Sequence, residues 1–180
     1  MLRQISGWFF ACYLLLGSVS LFAFEDQWTF EDNALKKSGE SQVKVLGFIK
    51  LFDAALYLED GYQPSDFPGD FTYALSIRYS RKIKRETLIE SANDILGDLY
   101  QPTKISAIES KLREINDYYV DVTKGDEYAL AYSPTKGTTL LFNGEPQVTI
   151  EGREFAEIYF SIWLGGHPKC KQLEKDLLAS

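Results

Sequence analysis

The chain has 180 residues, 19 Lys and Arg against 26 Asp and Glu, a formal net charge of −7, and a 45% hydrophobic share. That composition argues against nucleic acid as a partner, because phosphate backbones are held by cationic surfaces. With two cysteines and one histidine, the chain is also too poor in ligands for a four-ligand structural zinc site.

Residues 5–24, ISGWFFACYLLLGSVSLFAF, carry no charge and follow Arg3. This pattern predicts a signal peptide over 1–23, cut after Ala23, and hence a periplasmic or secreted protein. The rival is an uncleaved anchor, since twenty uncharged residues just span a bilayer. Gly17, Ser18 and Ser20 weaken that rival, which is the only route to a membrane that the sequence offers. Residues 24–180 then form one domain, long enough for a real core. With Arg3 gone from the 19 cations, 18 face 26 acids, a net of −8. Cys170 alone remains, so no intramolecular disulfide forms.

Residues 45–60, VLGFIKLFDAALYLED, are apolar on both faces when read with period two, which predicts a strand, or strand pair, without a wet side. Residues 60–70 are rich in turn formers, and FTYALSIRYS (71–80) predicts a strand. From Lys84 the period changes: Leu88, Ala92, Ile95, Leu96 and Leu99 predict a helix ending before Pro102. Ile105, Ile108, Leu112 and Ile115 predict a second helix. DYYVDV and EYALAYS flank Lys124-Gly125-Asp126 as an expected hairpin, and GTTLLFNGEPQVTIEG holds Asn143-Gly144, a strong hairpin signal. Phe155, Ile158, Tyr159, Ile162 and Trp163 mark one helix face. Gly165-Gly166 ends that helix, and Pro168 opens a last one reaching Leu178. The order predicts an α+β domain with an antiparallel sheet and helices on one face.

Motifs for chemistry are few. There is no G-x-S-x-G, P-loop or G-x-G-x-x-G, and no cofactor is implied. His167 and Cys170 make H-P-K-C, too little for a metal site. The acidic pairs fit a solvated surface. IRYSRKIKRE is different: Arg78, Arg81, Lys82, Lys84 and Arg85 place five cations in eight residues of an acidic chain. They sit at a helix start, where acids are normally favoured, and could hold a carboxylate or phosphate.

Four blocks occur in the order and spacing of a known family: FIKLFDAALYLE, IRYSRKIKRETLIESANDIL, LAYSPTKGTTLLFNGE and FAEIYFSIWLGGHPKCKQLEKDLL. Over residues 40–180 the chain resembles the chalcone isomerase-like family, in its bacterial, secreted, non-catalytic branch. The resemblance implies an open-faced β-sandwich, a large curved antiparallel sheet backed by a helix layer, with a ligand cleft between them. Counting from Leu56-Tyr57-Leu58-Glu59, the arginine of the plant isomerases falls at Glu40 and their threonine at Phe52. Their tyrosine and asparagine fall at Lys84 and Ser91, and only Ser161 keeps its type. A carboxylate repels the phenolate that a guanidinium stabilises, so chalcone isomerase activity is not expected.

Non-catalytic relatives bind fatty acids, which implies a small hydrophobic or carboxylate-bearing ligand. Phe48 and Phe52 are the candidate wall, Arg78 and Lys84 the candidate carboxylate partners, and Tyr79, Ser91 and Ser161 candidate hydrogen-bonding groups. An alternative is an isomerase or lyase acting on an activated double bond, with Lys84 or Tyr79 as general acid–base. A third reading, an envelope protein working through its surface, predicts a cleft filled by its own side chains.

Overall fold

The computed structural model describes residues 24–179; the proposed signal peptide, residues 1–23, lies outside them. Seven strands pair in chain order into one antiparallel sheet. They are β1 (Gln27–Phe30), β2 (Asn33–Val45), β3 (Ile49–Glu59), β4 (Tyr73–Tyr79), β5 (Glu127–Ser133), β6 (Gly137–Phe142) and β7 (Glu145–Ile150). Helices α1 (Arg85–Leu99), α2 (Pro102–Ala107) and α3 (Glu109–Asn116) join β4 to β5, while α4 (Arg153–Leu164) and α5 (Lys171–Leu177) follow β7. The α+β fold expected from the residues is the fold found.

The stretch without a wet side is a hairpin end followed by a central strand. β2 and β3 pair as far as Val45 and Ile49, and Leu46, Gly47 and Phe48 form the turn. Leu46 and Gly47 have φ of 52° and 75°, a left-handed pair that favours Asn and Gly and costs Leu about 1 kcal/mol. Along β3, Ala54, Leu56 and Leu58 enter the main core beneath the helices. Ala55 and Tyr57 enter a second cluster on the opposite face. Period two thus carried two buried faces.

That opposite face is built from short side chains, Ala74 on β4 and Ala129 and Ala131 on β5. Phe24, Trp28 and Phe30 fill the space above them, so the β1 edge curls over and the sheet becomes a half-barrel. The Tyr57 hydroxyl donates to the Glu25 carbonyl at 3.0 Å, and Trp28 meets the Tyr57 ring edge-on at 5.6 Å.

Three segments differ from the sequence expectation. DYYVDV makes no hairpin with β5: it is a loop whose Val122 bridges Ile83, outside the strands, and β5 pairs with β4. The side chains decide this. The Tyr119 hydroxyl meets that of Tyr159 at 2.9 Å in the core, and the Val120 amide donates to the Tyr128 hydroxyl at 2.8 Å. The second helix breaks at Ile108 into α2 and α3. Long β2 was not expected, because SGESQ is polar along its outer, solvated edge. Its inner row has room for a helix instead. A Cβ on Gly39 would meet the Asp176 carbonyl of α5 at 2.5 Å, and Ser41 donates to the Asp176 carboxylate at 2.6 Å.

Several phenols are locked in the protonated form. Burial pushes Tyr57 up to about 12 and raises Tyr73, Tyr79, Tyr119 and Tyr159 as well. Above about pH 10, phenols of the unfolded chain lose protons while these keep theirs. The unfolded state then binds fewer protons, so stability is full below pH 10 and falls as pH rises. Each phenol contributes up to ~1.4 kcal/mol per pH unit. Urea midpoints measured across this alkaline range should fall steeply, and Tyr57→Phe should remove about one proton from the slope between pH 10 and 12.

Candidate functional site

Between the inner face of the sheet and helices α1, α4 and α5 lies an open cavity of about 840 Å³. A cleft filled by its own side chains is therefore not what the chain forms. Leu75 and Ile77 of β4 and Leu130 of β5 form its floor. Leu88, Ala92 and Ile95 recur at helical spacing along α1 and roof it. Ile162 and Trp163 of α4 and Leu173 of α5 close one side.

Two kinds of polar group interrupt this apolar wall. Lys44, Arg81, Lys82, Lys84 and Lys169 line the cavity, and Arg81, Lys82 and Lys84 are exposed, which makes the rim basic. The segment carrying three of them is held in place by the reciprocal hydrogen bonds of Ile83 and Val122, 3.0 Å each. The remaining cations of the cluster are spent inside the chain. Arg78 pairs with Glu127 at 2.7 Å, and Arg85 donates to the Asn116 carbonyl at 2.8 Å. The first amide of α1 donates to Asp121 at 3.0 Å. The helix start thus already has its carboxylate, with Lys84 as the residue just before the helix and Lys82 lying 3.8 Å from the same Asp121.

The second kind is phenolic. Tyr79, Tyr119, Tyr128 and Tyr159 all line the cavity and all are buried. Tyr119 and Tyr159 hydrogen-bond to one another, so one proton of the pair is still free to donate. The Tyr79 side chain is 6% exposed, and its hydroxyl has no hydrogen-bond partner among the described residues. Burial, with the neighbouring phenols Tyr119 and Tyr128 adding to it, holds Tyr79 protonated. It is a neutral donor that opens on the cavity; among the described residues, the buried hydroxyls without a partner are those of Ser76 and Thr138.

Of the residues singled out by sequence, Phe52, Tyr79, Lys84 and Ser91 come together around the cavity. Phe48, Arg78 and Ser161 do not line it. Phe48 stands at the β2–β3 turn, 76% exposed. Arg78 follows strand alternation to the outer face, one residue from Tyr79, where its guanidinium covers the Phe24 ring at 4.5 Å. Ser161 turns into its own helix and donates to the Ile158 carbonyl. The tyrosines of the α3–β5 loop, β5 and α4 escaped the sequence reading. Their only signal was the helical spacing of Tyr159 with Ile162 and Trp163, read as core. His167 and Cys170 part company: Cys170 lines the cavity, whereas His167 takes an amide hydrogen bond from Lys169 and faces Asp98 at 3.2 Å.

The position counted as the isomerase arginine is equally informative. Glu40 lies opposite Ala55, a residue of the outer cluster, and pairs with Lys37 at 3.1 Å. The inner row of β2 opposite Phe52, Ala54 and Leu56 is Val43, Ser41 and Gly39. No guanidinium stands there even if the count slips by one.

A family model described as chalcone isomerase-like matches residues 17–179, and the chain belongs to that family. Among solved structures, the crystal structure of a fatty-acid binding protein from Arabidopsis thaliana is similar in fold. Its TM-score is 0.62 at 14% identity, over 87% of this chain and 91% of that one. A comparison with curated proteins returned no match.

Proposed function

We propose that this chain is an exported bacterial member of its family that binds a fatty-acid-like or aromatic carboxylate without transforming it. The observation that carries this reading is the combination of an 840 Å³ apolar cavity with a basic rim. Small-ligand sites commonly enclose about 300–1,000 Å³ with a few placed polar groups. The tail lies over Phe52, Leu75 and Leu130, and the head group meets Lys84 or its neighbours and the Tyr79 hydroxyl. The fatty-acid binding protein of similar fold supports the ligand class. The periplasmic location rests on the leader-like sequence of residues 1–23.

The alternative, an isomerase or lyase, has less behind it. A phenol held protonated by burial donates a hydrogen bond but takes up no proton near neutrality. Lys84 is exposed, without the burial that tunes a catalytic lysine.

Native mass spectrometry of protein purified gently from its host tests the proposal, together with a panel of saturated and aromatic acids. Co-purification of an acid, or saturable binding from the panel, is the expected result. Reproducible absence of both overturns it. Within that panel, Tyr79→Phe should weaken palmitate binding about tenfold or more, the worth of one hydrogen bond to a charged acceptor. Its melting temperature should hold, because the hydroxyl has no protein partner to lose.

A further inference from the structure

The β2–β3 turn carries the most exposed large hydrophobic side chains of the described residues, Leu46 at 80% and Phe48 at 76%, with Val45 at 40%. Their exposure is not a by-product of turn formation. Leu46 occupies a left-handed position, φ 52°, where Asn, Asp or Gly forms the turn more easily. Around the neighbouring Gly47 the space is open, with nothing within 4 Å of where a Cβ would stand. The same hairpin supplies Val43, Lys44 and Val45 to the cavity wall, beside the rim cations Arg81, Lys82, Lys84 and Lys169. The acids of this region are partly engaged: Asp53 pairs with Lys50 at 2.6 Å and Asp121 lies 3.8 Å from Lys82. An acidic chain thus gathers cations and bare apolar side chains at the mouth of its apolar cavity.

We propose that this tip is a membrane-docking device: Leu46 and Phe48 enter the outer layer of an anionic bilayer while the rim cations meet its head groups. The cavity mouth is then seated on the lipid surface, and an acyl chain passes between bilayer and cavity without crossing open water. Apolar side chains flanked by cations are the composition that binds such interfaces. A second copy of the chain fits the tip less well, because a two-fold contact sets Lys44 and its neighbouring cations against their own copies.

Phe48→Trp in the exported protein, purified after removal of the leader, provides the test, read against the parent protein to remove the native tryptophans. On vesicles of brominated phosphatidylglycerol and phosphatidylcholine, the added emission should shift to the blue and be quenched. On phosphatidylcholine alone the quenching should fall at least fivefold, and raised salt should reduce it on the anionic vesicles. Adding Leu46→Asp should abolish the quenching, and Lys44→Glu with Lys82→Glu should lower it at least fivefold. Melting temperatures confirm that each variant is folded. Absence of added quenching on anionic vesicles overturns the proposal, as does quenching indifferent to lipid charge. So does tip-dependent dimerisation in sedimentation velocity without vesicles, which assigns the tip to a second copy. Palmitate binding without vesicles is measured separately, so failure of docking and failure of the cavity reading are distinct results.

Discussion

Ala92→Trp should lower the affinity for a long-chain carboxylate by about two powers of ten and leave the unfolding midpoint almost unchanged. Ala92 lies in the middle of α1, on the face that Leu88 and Ile95 turn toward the cavity. An indole at this position projects into existing space, so it avoids the strain that accompanies overfilling of a packed core. It does take the place of ligand. Displacing about four methylenes of a tail, at ~0.8 kcal/mol each, removes about 3 kcal/mol of binding. Calorimetric titration with palmitate reads the loss directly. Unaltered affinity would place the ligand elsewhere than beneath α1.

The largest effect on stability is expected at Gly137, which opens β6. Its φ is 98°, a conformation costing other residues about 1–3 kcal/mol. A Cβ there would also run into the Ile150 carbonyl and lie 2.7 Å from the Glu151 Cα. Overfilling against backbone adds about 1–3 kcal/mol more. Gly137→Ala should therefore lose about 3–5 kcal/mol and melt about 10 °C lower, given ~2–4 °C per kcal/mol at this size. Gly144 separates the two causes. Its φ is 84° in the hairpin turn with Asn143 at 50°, but nothing lies within 4 Å of its Cβ position. Gly144→Ala should cost about 1 kcal/mol, the conformational part alone. Equal losses at the two glycines would refute the steric account.

What could be read from the residues was largely periodicity. β3 announced two buried faces because a central strand in this fold has both, and α1 and α4 announced their inner faces through spacing. What could not be read was pairing over distance. DYYVDV has the composition of a strand, yet Tyr119 is drawn into the core by Tyr159, forty residues further on. β2 is polar on one side and has Gly39 and Ser41 on the other, so no hydrophobic alternation betrays it. The site suffered in the same way. Phe48 and Phe52 share a period-two face on paper, but the turn at Leu46 to Phe48 breaks that face and leaves only Phe52 at the cavity. Arg78 and Tyr79 look equally available until the register sends them to opposite sides. The basic cluster was legible as charge. Which of its members were already spent on Glu127, Asn116 and Asp117 was not.

The alanines beneath the β1 edge also set an order of events. Ala74, Ala129 and Ala131 cannot reach across the outer face, so its core exists only when Phe24, Trp28 and Phe30 come down on them. β1 and β2 form a local hairpin, but its landing place includes β5 and Leu141 of β6. Nearly a hundred residues separate Phe30 from Ala129, and contacts across such a loop form late. The segment that leaves the ribosome early is thus among the last to settle. Until it does, the back of the sheet remains uncovered, and a chaperone that shields apolar surface would find its grip there.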